Sequence, residues 1–462
     1  MLTNRYLLLL PLLLAGCSLN SPVPESAVVA PPQWSHAPAG TQWPDRDWWR
    51  AYQSPALADL LSRAETGNLD LAAAASRLSQ AEAQLRQARA LSVPQVGVGL
   101  DVSRNGDSDS SAATFGASLS TSYQLDFWGR NQAIADSAIA TLLASEFDSQ
   151  TLAISIQASV VSNWLQILEN QQRLALARDS LANAERVLDL VQARYRFGAA
   201  DSLQVSQQRT LVAQLRASLP SLEQQALLLR NSLALLLGQT PEASMPAVTP
   251  LLDVVVPAVS AGLPSDLIVR RPDIRASEAR LAAANANVTA ARAALFPDIA
   301  LTGRLGAQSA ALGTLVSSPV TGWALAAGLT QSIFDGGALR AQVALSEARQ
   351  QELLVEYRGT LLGALGETDT ALGAAQQAEQ RYRFLEQANA EARRAFDLAE
   401  IRYRAGSIDL QALLDTQRTW YQSQDTLTQQ RAAWLLASVD LFRALGGGWQ
   451  APPVVYGLDE LR

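Results

Sequence analysis

The sequence predicts a mainly α fold with a small β part, on three observations. Two stretches, about Gly129 to Gly198 and Ala338 to Gly406, contain no proline and are rich in Ala, Leu, Gln and Arg. Short runs of strict two-residue alternation lie ahead of each stretch. The whole pattern then occurs twice along the chain.

The long stretches predict helices. Val160, Ile167, Leu174, Leu181, Leu188 and Tyr195 follow one seven-residue repeat. At 3.6 residues per turn, that spacing predicts an apolar seam facing a partner helix. About 68 residues at 1.5 Å each make a rod on the order of 100 Å long. Such a rod must pack sideways against similar rods.

Composition narrows the function classes. The chain has 462 residues, 48% hydrophobic and 17% charged, with a net charge of −7. It contains arginine but no lysine, and no basic cluster supports nucleic-acid binding. With a single histidine, His36, and a single cysteine, Cys17, a multi-ligand metal site or a disulfide framework is excluded by arithmetic. A Ser-His-Asp set would need His36, which lies in the N-terminal segment. No enzyme activity is expected.

At the N-terminus, Arg5 precedes a short apolar run from Tyr6 to Leu14, then Leu14-Ala15-Gly16-Cys17. The run is too short to cross a bilayer as a helix. It resembles a bacterial lipoprotein signal, with residues 1–16 removed and a covalent lipid, palmitate included, on Cys17. The alternative is an ordinary secretory signal with an incidental cysteine. Ser18 stands where an Asp would favour the inner membrane, which points to the outer membrane.

Residues 17–54 are expected to be an extended segment with Trp43, Trp48 and Trp49 as anchors against the body or a membrane interface. A helical pattern from Pro55 breaks near Gly67-Asn68 and ends at Pro94. Val96, Val98, Leu100 and Val102 then alternate with small or polar residues, as do Phe115, Ala117, Leu119, Thr121, Tyr123 and Leu125. This predicts a hairpin, about 95–104 and 114–126, with one apolar and one polar face. Each arm is long enough for a tilted membrane strand, though a half-buried soluble hairpin reads the same way. Helices follow at about 130–197 and 201–237, and Pro220 should bend or break the second.

A first repeat thus spans 55–250, and a second spans 251–446. The second has a helix opened by Pro272, strands at about 298–308 and 321–333, and helices at about 338–404 and 409–445. A tail, 447–462, completes the chain. The halves match in detail. Ala88-Arg89-Ala90 and Pro94 answer Ala291-Arg292-Ala293 and Pro297. Arg194-Tyr195-Arg196, Gly198 and Asp201 answer Arg402-Tyr403-Arg404, Gly406 and Asp409. This is an internal two-fold sequence repeat.

Four membrane-length strands would leave two open edges, which a bilayer does not tolerate. A closed barrel takes at least about eight strands, so several copies must share one. Long helical rods under a shared barrel make a conduit through periplasm and outer membrane.

Gly262-Leu263-Pro264-Ser265-Asp266-Leu267 and Arg270-Arg271-Pro272-Asp273-Ile274-Arg275 resemble the signature of outer-membrane factors of bacterial tripartite efflux pumps. The chain is most similar to their lipid-anchored, NodT/OprM-like branch of TolC-like channels. Ala291 to Pro297, Arg402-Tyr403-x-x-Gly406 and Ala444 to Trp449 fit as well. The resemblance implies a homotrimeric α-barrel of long coiled-coil helices, joined to a shared 12-strand outer-membrane β-barrel with four strands per chain. It implies a passive channel for small molecules such as drugs, with a periplasmic adaptor protein, an inner-membrane proton-driven pump and outer-membrane lipid as partners. Cofactors are absent from that picture apart from the lipid on Cys17, and no nucleic acid is involved.

The same resemblance assigns sites. The turns at Arg194, Tyr195, Gly198 and Asp201, and at Arg402, Tyr403, Gly406 and Asp409, would meet the adaptor. Gly198 and Gly406 can also be read simply as helix C-caps. Asp415 would supply a ring of carboxylates at the periplasmic gate, polar, narrow and cation-attracting. The plain alternative is a solvated helix residue. One turn earlier the branch has an apolar ring residue, whereas this chain has Gln411, so the resemblance does not carry a hydrophobic second gate. Gly446-Gly447-Gly448 lacks the Lys-Ser/Thr of a phosphate loop and reads as a helix stop. Competing architectures are a protein-secretion duct of type I systems, a stand-alone porin and an envelope-tethering coiled coil. A porin would carry its strands in one chain with short turns, and a tether leaves the alternating hairpins unexplained.

Overall fold

The computed structural model describes residues 28–35, 43–106, 111–242, 250–259 and 262–450. The expected signal peptide, Cys17, His36 and the tail from 451 lie outside the described residues. After a 3₁₀ turn, Trp48–Tyr52, come helices α1 (Pro55–Gly67) and α2 (Leu69–Ala90), then strands β1 (Gln95–Gly106) and β2 (Ser111–Leu125). Two long helices follow, α3 (Arg130–Arg196) and α4 (Ser202–Leu236). The second half has α5 (Leu267–Arg270), α6 (Pro272–Ala293), β3 (Asp298–Ser309), α7 (Leu312–Ser317), β4 (Val320–Thr330), α8 (Ala338–Arg404) and α9 (Leu410–Ala444). α3 and α8 have 67 residues each, and α4 and α9 have 35 each.

The chain changes from strand to long helix the same way twice. The Asp126 carboxylate accepts from the backbone N–H of Asn131 at 3.0 Å and of Gln132 at 2.8 Å. Asp335 accepts from Gly337 and Leu339, both at 2.8 Å. These bonds satisfy amides that a helix start leaves without partners. The sharp redirection needs left-handed backbone, supplied by Gly129 at φ 73° and Gly337 at φ 89°.

Two compact units emerge, each built from both halves of the sequence. One comprises Ser76–Phe147 and Arg275–Thr360 and contains the sheet. Its four strands lie in sequence order, all antiparallel. Hence β2 of the first half pairs with β3 of the second, with Leu119 opposite Leu305. Trp128 stacks on Phe296 with ring centroids 4.8 Å apart and donates its indole N–H to the Pro297 carbonyl at 2.8 Å.

The other unit comprises Val28–Ala75, Asp148–Ile274 and the chain from Leu361. One core joins Trp48 and Tyr52 to Leu57, Leu60 and Leu61 of α1, Val160, Leu165 and Leu168 of α3, Leu233 of α4, and Leu435 and Val439 of α9. Trp48 stacks on Phe442 at 4.8 Å. Truncating a fully enclosed leucine such as Leu165 to alanine costs ~2–5 kcal/mol in comparable cores. A second core, described below, lies next to the two helical turns.

Several expectations need correction. α4 runs unbroken through Pro220. Proline removes one intrahelical bond, from the Arg216 carbonyl, but Pro220 is exposed and water can take that carbonyl. β4 ends at Thr330, so Ile333 lies outside the strand. The expected extended segment contains the 3₁₀ turn at Trp48–Tyr52, and the link from β3 to β4 contains α7. Within a single chain the seven-residue seam is not one buried line. Val160 and Ile167 are buried, Leu174, Leu181 and Leu188 are half-buried, and Tyr195 is exposed. A straight helix of 3.6 residues per turn drifts away from a strict seven-residue line. Ser180, Ala184, Val187 and Val191 take over the buried side of α3.

Candidate functional site

The two helical turns have one design. At the end of α3, Gly198 N–H donates to the Tyr195 carbonyl at 3.0 Å, and Ala199 N–H to the Arg194 carbonyl at 2.8 Å. At the end of α8, Gly406 N–H donates to Tyr403 and Ser407 N–H to Arg402, both at 3.0 Å. This double closure requires a left-handed residue, and the glycines sit at φ 75° and 73°. Three residues later an aspartate caps the returning helix. Asp201 accepts from Gln204 N–H and Asp409 from Ala412 N–H, each at 2.9 Å.

Side chains then make the two turns unequal. Arg194 donates from Nη1 to the Tyr403 carbonyl at 2.8 Å, and its guanidinium lies 4.7 Å from the Tyr403 ring centre. Tyr403 is 2% exposed, in the core formed by Val187, Val191, Val205, Leu410, Leu413 and Trp420 with Phe396. Burial pushes its phenol up from the ordinary range, and the Arg194 charge partly offsets this. Tyr195 is 50% exposed and Phe197 86% exposed. The turns therefore present Tyr195, Phe197 and Arg402 outward and keep Tyr403 inward.

Asp415 and Gln411 occupy one exposed face of α9, where Gln411 Nε2 donates to Asp415 Oδ1 at 2.9 Å. Continuing at helical spacing, that exposed face carries Arg418, Gln422 and Gln429. No large apolar residue interrupts it between 411 and 429, as suits a water-filled wall. The opposite side of α9 carries Leu413, Leu414 and Trp420 into the core.

The sheet is equally two-sided. Registers place Val98, Leu119, Leu305 and Trp323 in one cross-strand row. Leu100, Tyr123, Leu301, Leu325 and Leu329 lie on the same face, and this face is exposed, Val98 at 79% and Leu325 at 77%. The other face carries Gly97, Asp101, Ser118, Ser120, Thr302 and Arg304, with a shallow concavity over Ser120, Thr302, Arg304 and Ala326. A contiguous exposed apolar face of this kind marks a surface covered by a membrane or by another protein. The outer edges of β1 and β4 have no strand partner among the described residues.

Comparison with known proteins decides the identity. The model of the outer membrane efflux protein family matches residues 60–239 and 263–447. The chain belongs to the outer membrane efflux protein family. The pyoverdine export outer membrane protein OpmQ of Pseudomonas putida is 40% identical over 463 residues, covering 97% of this chain and 98% of OpmQ. The toluene efflux pump outer membrane protein TtgC of Pseudomonas putida is 33% identical over 461 residues, covering 95% and 94%. A crystal structure of a membrane protein from Pseudomonas aeruginosa superposes with a TM-score of 0.87 at 32% identity, covering 93% of this chain and 100% of that one. The protein is thus an outer-membrane channel of an efflux system, a passive conduit and not an enzyme.

The Arg270-Arg271-Pro272-Asp273 run also acquires a structural reason. Arg271 forks onto Asp273, donates to Glu367 at 3.0 Å and reaches the Ala444 carbonyl at 3.0 Å. Thr368 donates to the same carbonyl at 3.2 Å. Arg271 thereby joins the start of α6 to α8 and to the end of α9. The Gly446-Gly447-Gly448 stop is obligatory: all three have positive φ, and a side chain at Gly446 would strike the Arg270 carbonyl. Over the Gly-Leu-Pro-Ser-Asp-Leu run lie two anchors. Trp34 donates its indole N–H to the Gly262 carbonyl at 3.1 Å, and Trp43 packs directly on Gly262.

One efflux-channel element escaped the sequence reading. Arg173 on α3 holds Asp425 on α9 at 2.6 Å and 3.2 Å, with Glu169 3.6 Å from the same guanidinium. Burial pushes the Glu169 carboxyl up, Arg173 pulls it back, and Asp425 opposes that pull. The available signal was a charge in a mainly apolar helix, which names no partner.

Proposed function

We propose that three copies of this chain close one twelve-stranded barrel in the outer membrane, continued into the periplasm by an α-barrel of twelve helices. The observation that carries the reading is the sheet with one continuous exposed apolar face and two edges that are unpaired among the described residues. Lipid covers such a face, and pairing β1 of one copy with β4 of the next removes both edges. The internal repeat supports it further, because matched helix pairs from two halves and three copies give six similar steps around one axis. The polar sheet face and the polar face of α9 then line the lumen.

In this reading a lipid on Cys17 anchors the mature chain after removal of residues 1–16. The turns at Gly198 and Gly406 dock a periplasmic adaptor, which links the channel to an inner-membrane proton-driven pump. The cargo is small molecules. Relatives named for pyoverdine export and toluene efflux favour this over protein secretion. The test is single-channel recording of the purified full-length protein in planar bilayers. Unitary, long-lived conductance steps are expected. Their absence both in the parent and in Asp415→Ala would refute a transmembrane conduit.

A further inference from the structure

Within the chain, the first turn contributes its arginine and the second its tyrosine. Arg194 lies over the Tyr403 ring at 4.7 Å and donates to the Tyr403 carbonyl, which already accepts from Gly406 N–H. The counterparts of these residues are Arg402 and Tyr195, set 208 positions from their equivalents. Both are exposed, and neither side chain has a partner among the described residues. The Tyr195 carbonyl accepts only from Gly198 N–H, leaving one lone pair in the position that Arg194 fills on Tyr403. Each turn thus carries half of a contact whose other half is satisfied inside the chain.

We infer that Arg402 of one copy docks on Tyr195 of the adjacent copy, guanidinium over ring, donating to the Tyr195 carbonyl. This rests on the trimeric reading. The step from first to second turn within a chain then repeats as the step from second turn to the next chain's first turn. Planar stacking plus a charged hydrogen bond is a pairing that arginine makes and lysine does not reproduce. Two residues assigned to adaptor docking are thereby assigned to the contact between copies, leaving Phe197 and the turn backbone as the surface for another protein.

The test uses the full-length protein purified in detergent. Native mass spectrometry of the parent first counts the chains. A Tyr195→Cys/Arg402→Cys variant is treated with a short bis-maleimide, alongside each single variant and an Arg194→Cys/Tyr403→Cys control. Covalent dimers and trimers on a denaturing gel are expected from the first pair only. Single chains from that pair, with a trimeric parent, overturn the contact and leave the trimer standing. A monomeric parent overturns both. Trimer-dissociation temperatures of Tyr195→Ala, Arg402→Ala and their combination supply a second readout. The double variant should fall no further than the worse single, and additive losses overturn the contact.

Discussion

Arg271 and Asp273, with only Pro272 between them, form two parallel bonds, Nε to Oδ1 at 3.0 Å and Nη2 to Oδ2 at 2.7 Å. Burial works against the guanidinium charge. The bonds and charge of Asp273, then of Glu367, more than restore it and hold Arg271 above its ordinary range. Because that one side chain also takes the Ala444 carbonyl, it fixes where α6 begins relative to where α9 ends.

Arg271→Ala should therefore cost ~3 kcal/mol, the low end for breaking a buried pair because Glu367 is half open to water. Arg271→Lys keeps charge but loses the fork, and should recover only part of that loss. Tryptophan-fluorescence denaturation curves compare the variants. Equal stability of parent and Arg271→Ala would show that the fork is incidental.

The two faces of the sheet give the next expectation. Leu119→Arg or Leu325→Arg should cost roughly 2–4 kcal/mol each if the site lies near mid-bilayer. Changes of Ser118 or Ala326 to arginine lie on the opposite face of the sheet, the lumen side of the proposed barrel, and should cost much less. Barrel folding into lipid vesicles measures both, and equal sensitivity would contradict the assignment of faces.

These faces were legible in the sequence because alternation is a local property of period two. The pairing of Leu119 with Leu305 was not, since it joins segments far apart in sequence. Helix limits were similarly legible where a cap marked them, as at Asp201 and Asp409. Of the bend or break expected at Pro220, the break does not occur, because the cost of a proline depends on exposure, which sequence does not state. At the turns, duplication identified Arg194 and Tyr403 as equivalents of Arg402 and Tyr195. Only the packed structure sets the arginine of one turn upon the tyrosine of the other.

A pH expectation follows from Asp335. Backbone N–H groups of Leu339, then Gly337, hold its carboxyl below the usual carboxylate range. A lowered folded value means the cap's stabilisation is present above the unfolded carboxylate pKa of about 4 and is lost as pH falls through the lower folded value. Amide protection in the first turn of α8, taken relative to intrinsic exchange at each pH, should fall in acid in the parent. In Asp335→Ala it should be low already at neutral pH. A pH-independent protection in the parent would remove this role.

The gate face predicts an electrical phenotype. If three copies of Asp415 line one constriction, Asp415→Ala should raise conductance and weaken block by divalent or trivalent cations. Gln411→Ala, removing the amide that steadies Asp415 at 2.9 Å, should have a smaller effect in the same direction. Unchanged conductance and block in both would leave Asp415 a solvated helix residue.

Lipidation is tested by mass. The mature N-terminus should begin at an acylated Cys17. An unmodified cysteine, or cleavage elsewhere, would remove the anchor.

The central claim is that three copies complete what one chain leaves open, the edges of β1 and β4 that have no strand partner among the described residues. Native mass spectrometry of the full-length protein, extracted from outer membranes in mild detergent, tests it most directly. The account predicts a particle of three chains that withstands detergent and falls apart only with loss of strand structure. A folded single chain, stable alone with its sheet intact, would contradict it.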